Sequence, residues 1–314
     1  MTTFGLQIPN TASFDAADGD PFAFVLQRAE AADRAGFSSL WVMDHLWQLP
    51  GIGGSRAPIL EAYTLLGALA ARTERVELGT LVTGVTYRNP ALVAKIVTTL
   101  DAISRGRAVL GIGAAWYEEE HRAFGYDFPP PGERLDRLEE ALQICRAMFT
   151  EEHPSFRGRY YRIDEVYNVP RPARPGGPPI LVGGSGERRT LRLVARYADR
   201  CNIFGGPDDV RRLLDVLTAH CEAEGRDRDA IMTTRLGTLV STPTPEDADT
   251  TREFLRSAAG DDIATTAVIG TDEQVLEQVG AFVDAGLDQL IFNMPTAPVD
   301  EIERVGELLT GEFG

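Results

Sequence analysis

Residues 76–112 read VELGTLVTGVTYRNPALVAKIVTTLDAISRGRAVLGI and carry the repeating pattern of the whole chain. An apolar run at Val76–Val82 precedes a helical pattern over Pro90–Ile103, and proline is well suited to the first turn of a helix. A second apolar run follows at Ala108–Ile112. Because buried parallel strands read as continuous apolar runs, the stretch predicts a strand–helix–strand unit of a parallel sheet.

The same alternation extends outward from this unit in both directions. Strands are predicted at Phe4–Ile8, Ser39–Met43, Val76–Val82, Ala108–Ile112, Ile180–Val182, Arg200–Phe204, Thr233–Val240 and Gln289–Met294. Helices are predicted at Pro21–Ala35, Leu60–Arg72, Pro90–Ile103, Glu133–Phe149, Glu187–Tyr197, Val210–Glu224, Asp272–Ala285 and Val299–Leu309. Eight repeats favour closure into a (β/α)8 TIM barrel over an open doubly wound sheet, and 314 residues suffice for a barrel of roughly 250 residues plus insertions.

Two stretches interrupt the alternation and are predicted to be insertions within a single domain that spans residues 1–314. The first, residues 151–178, follows the fourth helix, is rich in glycine and proline, and is predicted to hold a hairpin over Phe156–Ile163. The second, residues 243–270, follows the seventh strand. It is predicted to hold a helix near Glu246–Ala258 and a short strand at Thr266–Ile269.

Composition restricts the classes of partner and location. The net charge of −16 argues against nucleic acid and anionic membranes, because both are bound by basic patches. The three cysteines, Cys145, Cys201 and Cys221, are odd in number and show no CxxC spacing, which favours a cytoplasmic protein over a disulfide framework. The first residues lack a basic and then apolar leader, and no apolar run approaches the roughly 20 residues of a membrane helix.

Functional residues of such barrels lie just after the strands, at their carboxyl ends. Strand two ends in Trp41-Val42-Met43-Asp44-His45. A histidine at that position can exchange a proton near neutral pH, whereas a turn-capping Asp44 beside a surface His45 is an equally acceptable interpretation. The histidines show neither HxH nor HxxxH spacing, so no metal site is predicted.

Three other strand ends carry weaker signals. Gly79–Pro90, taken alone, reads as a loop of turn-forming residues before a helix. Gly111–Ala115 holds small residues that would let a flat ligand approach the backbone, and Glu118–His121 after it is interpreted as a solvated helix face. Gly183-Gly184-Ser185-Gly186, just before a predicted helix, favours phosphate binding by backbone N–H groups, although a tight strand-to-helix turn would look similar.

Taken together, these strand ends resemble the bacterial luciferase-like family of flavin and deazaflavin enzymes. The resemblance runs from Phe4 to Met294 and is carried by Trp41–His45, Gly79–Pro90, Leu110–His121 and Pro179–Gly184. Within that family the chain is most similar to the actinobacterial oxidoreductases that use the deazaflavin coenzyme F420. The resemblance implies a (β/α)8 barrel, a small-molecule substrate and a homodimer.

The family assigns roles to matching residues. It implies that His45 and Asp44 are catalytic: His45 handles substrate protons over the ring, and Asp44 orients the imidazole or binds the ring. It implies a non-prolyl cis peptide between Leu81 and Val82 that supports the ring. The cofactor-binding residues implied are Asp44, Leu81, Val82, Thr83, Ala114, Tyr117, Gly183, Gly184, Ser185 and Gly186, and those of the substrate cavity are Trp47, Trp116 and Phe204.

Two departures from the family pattern matter. Members that oxidise sugar 6-phosphates carry a proton-donating Glu near the position of Ala114, so a sugar-phosphate dehydrogenase is disfavoured here. Gly84-Val85 also differs from the residues common in relatives, which leaves the ring-edge contacts open. Arginines that could meet the polyanionic F420 tail are Arg56, Arg88, Arg157, Arg159, Arg188 and Arg189.

The expected function is therefore F420-dependent hydride transfer to or from a small organic substrate. The alternative within the family is an FMN-dependent monooxygenase that uses reduced flavin and oxygen. A non-catalytic cofactor-binding relative is a third possibility, which the presence of Asp44-His45 disfavours, and a metal-dependent hydrolase is disfavoured by the histidine spacing.

Overall fold

Parallel strands form a closed barrel in the computed structural model, which describes residues 1–8, 19–50 and 54–314. The described strands are β1 (Thr3–Ile8), β2 (Ser39–Val42), β3 (Glu77–Thr80), β4 (Thr83–Gly84), β5 (Ala108–Gly113), β6 (Phe156–Arg157), β7 (Arg162–Ile163), β8 (Ile180–Gly183), β9 (Arg200–Ile203), β10 (Met232–Ser241), β11 (Val268–Gly270) and β12 (Gln289–Asn293). The barrel order is β12-β1-β2-β3-β5-β8-β9-β10, and β10 pairs with β12 to close it. The predicted eight-stranded (β/α)8 barrel is confirmed.

Helices surround the barrel and alternate with its strands. They are α1 (Pro21–Arg34), α2 (Ala62–Ala70), α3 (Pro90–Ser104), α4 (Glu118–Phe124), α5 (Pro131–Thr150), α6 (Thr190–Tyr197), α7 (Pro207–Glu224), α8 (Pro245–Ala259), α9 (Asp261–Thr266), α10 (Asp272–Asp284) and α11 (Val299–Phe313). Proline opens several of them, and the Asn89 side chain caps α3 by accepting a hydrogen bond from the Ala91 N–H at 2.9 Å. None of the described helices combines the length and apolar character needed to cross a membrane.

The barrel interior is filled by large apolar side chains. Trp41, Leu81, Val109, Leu181 and Ile291 pack there as one buried cluster. Backbone must come close to the Trp41 ring, and glycine in β3 permits it, because a Cβ at residue 79 would lie 2.8 Å from Trp41 Cζ3. A larger apolar layer lies between the strands and the helices and includes all three cysteines. The residues after each strand are thus held on a rigid support.

Several local predictions need correction. The third strand ends at Thr80 and not at Val82, because a cis peptide between Leu81 and Val82 interrupts it before β4 pairs with β5. That cis bond is the one implied by the family resemblance. The helix predicted from Glu187 begins three residues later, at Thr190.

The two predicted insertions contain mostly the predicted elements. In residues 151–178, β6 and β7 form the expected hairpin, with Phe156 paired to Ile163. In residues 243–270, α8 is present, but the short helix α9 was not predicted and ends at Thr266, where a strand was expected. The strand there is β11, which begins at Val268 and extends the sheet beside the end of β10.

Candidate active site

A cavity of about 410 Å³ opens at the carboxyl ends of the barrel strands, where active sites of this architecture lie. Its volume falls within the roughly 300–1,000 Å³ of small-molecule sites. The lining residues are Asp44, His45, Leu81, Val82, Gly84, Tyr87, Gly113, Ala114, Ala115, Trp116, Gly183, Gly184, Thr190, Asn202, Phe204 and Leu236. Nine of the predicted site residues are among them: Asp44, His45, Leu81, Val82, Ala114, Trp116, Gly183, Gly184 and Phe204.

The other predicted site residues lie around this cavity without lining it. Thr83 is fully buried, and its hydroxyl lies 2.6 Å from the Tyr63 hydroxyl and 2.7 Å from that of Thr80. The structure therefore does not bring Thr83 to the cavity surface as a ring-edge contact. Ser185 and Gly186 line a neighbouring open depression, and Trp47 and Tyr117 stand behind Trp116 at the rim.

His45 is held by a buried carboxylate. Its Nδ1 atom lies 3.0 Å from Oε2 of Glu120, which is fully buried on α4. Oε1 of Glu120 accepts hydrogen bonds from the backbone N–H groups of Leu46 and Trp47 at 2.5 and 3.1 Å, and Oε2 also accepts from the Tyr87 hydroxyl. Because an ionised carboxylate can only accept, the neutral imidazole carries its hydrogen on Nδ1. Nε2 is then the atom free to take a proton.

Glu120 stays ionised in this environment. Burial by itself would raise the pKa of its carboxyl group. The hydrogen bonds from His45 and Tyr87, the charge of His45 and the Trp47 N–H outweigh burial and lower the pKa below its ordinary value of 4.5. The carboxylate is therefore available at neutral pH to stabilise a positive charge on His45.

Asp44 is paired with Arg88 in a fork of two hydrogen bonds. Nη1 and Nη2 of Arg88 donate to Oδ2 and Oδ1 of Asp44 at 2.7 and 3.0 Å, and the Gly84 N–H donates to Oδ2 at 3.3 Å. Burial raises the pKa of Asp44, and the Arg88 bonds oppose that rise. Arg88 also donates to Glu61 at 2.8 Å. The fork fixes Asp44 beside His45 at the cavity wall.

Val82 forms an apolar floor because two glycines lie against it. A Cβ at Gly113 would lie 2.8 Å from Cγ2 of Val82, and a Cβ at Gly183 would lie 2.9 Å from its Cγ1. A side chain at either position would meet Val82, so either Val82 or the strand would have to shift. The glycines at the ends of β5 and β8 therefore keep this floor low enough for a flat ligand.

Aromatic rings form the rim of the cavity. Trp116, 62% exposed, stacks on Tyr117 with ring centroids 5.1 Å apart and meets the edge of the His45 ring at 5.7 Å. Trp47 packs against Tyr117 at 6.3 Å. Arg134 on α5 donates to the Ala114 carbonyl at 3.3 Å and to that of Ala115, which sets the backbone direction before Trp116. The rim is thus lined by aromatic rings, and Arg134 fixes the backbone that carries Trp116.

A second depression lies next to the cavity and shares Thr190 with it. It measures about 430 Å³ and is lined by Leu135, Ser185, Gly186, Glu187, Arg188, Arg189 and Thr190. Ser185 is fixed here because its hydroxyl accepts the Phe204 N–H at 2.9 Å. Arg188 beside this glycine turn suits an anionic group, whereas Arg189 is paired with Asp136 at 2.5 Å and donates to the Gly132 carbonyl at 3.1 Å.

Comparison with known proteins agrees with this architecture. The luciferase-like monooxygenase family matches residues 2–289. The chain belongs to that family. The predicted resemblance is therefore confirmed.

Curated relatives within the family carry a narrower description. An F420-dependent glucose-6-phosphate dehydrogenase of Nocardia farcinica (strain IFM 10152) is 31% identical over 303 residues, which cover 85% of this chain and 86% of the relative. A second protein of that name, from Microbacterium testaceum (strain StLB037), is also 31% identical and covers 87% of this chain and 88% of its own length.

Solved structures share the family fold. An F420-dependent secondary alcohol dehydrogenase in complex with an F420-acetone adduct superposes with a TM-score of 0.83 at 20% identity, covering 98% of both chains. At such identity the likeness shows the fold alone.

This family member contains site residues that sequence reasoning missed. Glu120 and His121 were expected to lie on a solvated helix face, but both are fully buried. His121 is bonded through Nε2 to the Thr86 hydroxyl at 2.6 Å and through Nδ1 to the Tyr117 carbonyl at 2.7 Å. Arg88, one of the candidate arginines for an anionic tail, is engaged by Asp44 and Glu61 instead.

Among the described residues no cluster of His, Cys, Asp and Glu could hold a metal ion.

Proposed function

We propose that this chain is a coenzyme F420-dependent oxidoreductase that moves hydride between the deazaflavin and a small organic substrate. The observation that carries the proposal is the pair formed by His45 and Glu120 at the wall of a cavity with an apolar floor. A single imidazole with a fixed tautomer is suited to passing one proton, which is what hydride chemistry on an alcohol or a carbonyl requires. The curated relatives described above, named as F420-dependent dehydrogenases, support the choice of cofactor.

The residues present fit a flat ring with an anionic tail. The floor formed by Leu81 and Val82 offers an apolar face of the kind that a ring system covers. Gly183 and Gly184 bring backbone close to the cavity, and the adjoining depression at Ser185 and Gly186 continues outward from it. We assign the ring to the first cavity and the phosphate-bearing tail to the second. Arg188 would be the cation beside the tail, because Arg189 is already paired with Asp136 and donates to the Gly132 carbonyl.

The chain's own groups supply binding and proton transfer. When bound, the deazaflavin supplies a carbon centre that accepts or donates a hydride. Nε2 of His45 takes the proton of a substrate hydroxyl during oxidation and returns it during reduction. Glu120, held by Tyr87 and two backbone N–H groups, balances the charge that His45 then carries. Trp116 and Phe204 flank the cavity and limit the access of water to the substrate.

Asp44 has a supporting role in this proposal. Its carboxylate is occupied by the Arg88 fork and one backbone N–H, so it is a fixed acceptor at the cavity wall and not a mobile base. It can accept a hydrogen bond from a donor on the ring edge. Ala114 cannot donate a proton, and Asp44 and Tyr87 are engaged by Arg88 and Glu120, so the proposal assigns proton transfer to His45.

Equilibrium binding decides between the two cofactors of the family. The intrinsic fluorescence of F420 and of FMN is titrated against the purified protein. We expect F420 to be quenched at micromolar protein or below and FMN to bind at least tenfold more weakly. Tight FMN binding without F420 binding would overturn the proposal in favour of the flavin monooxygenase. Arg188→Ala should weaken F420 binding, and Arg211→Ala, on the exposed surface of α7, should not.

A further inference from the structure

The described wall of the cavity has no permanently charged cation that could pair with an anionic substrate. None of the described residues that line it is Lys or Arg. The two stretches outside the description, residues 9–18 and 51–53, contain no Lys, Arg or His in their sequence. The ionisable groups that line the cavity are Asp44, His45 and Tyr87.

Two arginines bond residues that line the cavity, and both are already engaged. The Arg88 side chain is 13% exposed and is shared between Asp44 and Glu61. Arg134 bonds the carbonyls of Ala114 and Ala115, and its guanidinium also lies 4.1 Å from the centre of the Phe128 ring. Using either one for a substrate would break contacts that hold the site together. Neither is a free cation.

A phosphate or carboxylate in this cavity would therefore be costly. Such groups are recognised in proteins by Arg or Lys, mostly in charge-assisted hydrogen bonds. Here an anion would lose its water and face Asp44, with Glu120 directly behind His45. The net charge of −16 on the chain adds to the repulsion.

We infer that the substrate of the proposed F420 reaction is a small, uncharged alcohol or the corresponding carbonyl compound, without a phosphate or carboxylate. Trp116, Phe204 and Leu236 provide apolar walls for its carbon skeleton. A volume of about 410 Å³ shared with a tricyclic ring leaves room only for a small molecule. This inference rests on the proposed function and separates the chain from the glucose 6-phosphate activity for which its relatives are named.

The reaction balances with the groups named. Oxidation breaks the C–H bond of the carbinol carbon, and the hydride with its electron pair reduces the oxidised deazaflavin. The O–H proton goes to Nε2 of His45, and a C=O bond forms. Reduction of the carbonyl compound by reduced deazaflavin runs the same steps in reverse.

The test uses the F420-loaded protein and substrate pairs that differ in one charged group. 2-Butanol is compared with 3-hydroxybutyrate, in which a carboxylate replaces one terminal methyl group, and glucose with glucose 6-phosphate. Isopropanol and cyclohexanol extend the uncharged set, and the ketones are tested with reduced F420. We expect kcat/KM to be at least tenfold higher for the uncharged member of the butanol pair and no turnover of glucose 6-phosphate.

A gain-of-function variant tests whether the lack of a cation in the cavity wall causes the preference for uncharged substrates. Trp116→Arg places a cation at the cavity rim and should raise the ratio of kcat/KM for 3-hydroxybutyrate over 2-butanol at least tenfold. Phe254→Arg makes the same change on α8, where Phe254 is 67% exposed and does not line the cavity, and should leave the ratio unchanged.

Two outcomes count against the inference. Preference for the charged member in either pair would overturn it. So would F420 binding without turnover of any uncharged alcohol or ketone. Failure of F420 to bind at all would instead overturn the proposed function on which the inference rests, and the fluorescence titration identifies that case before any substrate is added.

Discussion

Nδ1 of His45 lies 3.0 Å from Oε2 of Glu120, although 75 residues separate them in sequence. The two side chains come from different loops of the barrel mouth, one after β2 and one in α4 after β5. A carboxylate in this position fixes the imidazole tautomer and stabilises its protonated form. Glu120 acts through His45, so we regard it as a positioning residue.

Glu120→Gln should lower kcat/KM by roughly 10- to 100-fold, by analogy with the loss of a carboxylate that orients a metal-binding histidine. The amide keeps the shape but loses the charge, so kcat should fall while the affinity for F420 stays within about twofold. Glu77→Gln is the matched control, because Glu77 also has a lowered pKa and two arginine partners, Arg174 and Arg200, but lies at the start of β3, at the opposite end of the barrel. Equal losses of kcat in both variants would mean that Glu120 is only structural.

The lowered pKa of Glu120 also predicts how stability depends on pH. Its folded-state pKa lies below the ordinary value of 4.5, so the ionised carboxylate contributes stability that is fully present above about pH 5.5. That contribution is lost as the pH falls through 4.5 toward the folded-state pKa. The difference in unfolding free energy between wild type and Glu120→Gln, from urea titrations at several pH values between about 5.5 and 3.5, should narrow toward acid. A difference that widens would contradict the shift.

The barrel itself could be predicted because each of its strands is a continuous apolar run and several helices begin at a proline. Asp44 and His45 could be located for the same reason, since they follow β2 directly. The position of the Val82 side chain in the cavity floor could not be predicted from the sequence, because it depends on two glycines from other strands.

The position of Glu120 could not be predicted for a different reason. α4 has seven residues, which is too short for a hydrophobic period to show which face is buried. Three consecutive glutamates also look like a solvated surface. The buried face of α4 can be recognised only in the folded barrel, where β2 and β5 bring His45 against Glu120. The pairing of Asp44 with Arg88 is likewise a product of the closed barrel and not of a local pattern.

Arg88→Ala should destabilise the fold by about 3–5 kcal/mol, because it leaves Asp44 buried without its partner. Urea unfolding followed by circular dichroism measures the loss. Glu61→Gln is the control, because Glu61 is 41% exposed and its bond to the same arginine should contribute less than about 1 kcal/mol. Similar losses in both variants would show that the fork to Asp44 is not the stronger contact.

His45→Ala should lower kcat by roughly 10²- to 10⁴-fold at saturating substrate if Nε2 carries the proton. Binding of F420 should change little, since His45 is only one of the residues around the ring cavity. His153→Ala provides the comparison, because His153 lies outside the cavity beside Glu152. An unchanged kcat in His45→Ala would remove His45 from the chemistry and leave the cavity with binding alone.

Gly113→Ala should weaken F420 binding roughly tenfold. The added methyl group would lie 2.8 Å from Cγ2 of Val82, so either Val82 rises into the cavity or the strand shifts. Overpacking of this kind costs about 1–3 kcal/mol, and 1.4 kcal/mol corresponds to a tenfold change in affinity. Fluorescence titration with F420 measures the effect.

A second variant tests whether the loss of affinity in Gly113→Ala comes from a steric clash with Val82. If Val82 is what the new methyl group displaces, the double variant Gly113→Ala, Val82→Ala should recover most of the lost affinity, because the truncated side chain leaves room for it. Gly67→Ala, in α2 with no atom within 4 Å of the added Cβ, should leave F420 binding unchanged and stabilise the helix by up to about 1 kcal/mol. No recovery in the double variant would mean that Gly113 is needed for its backbone conformation and not for the position of Val82.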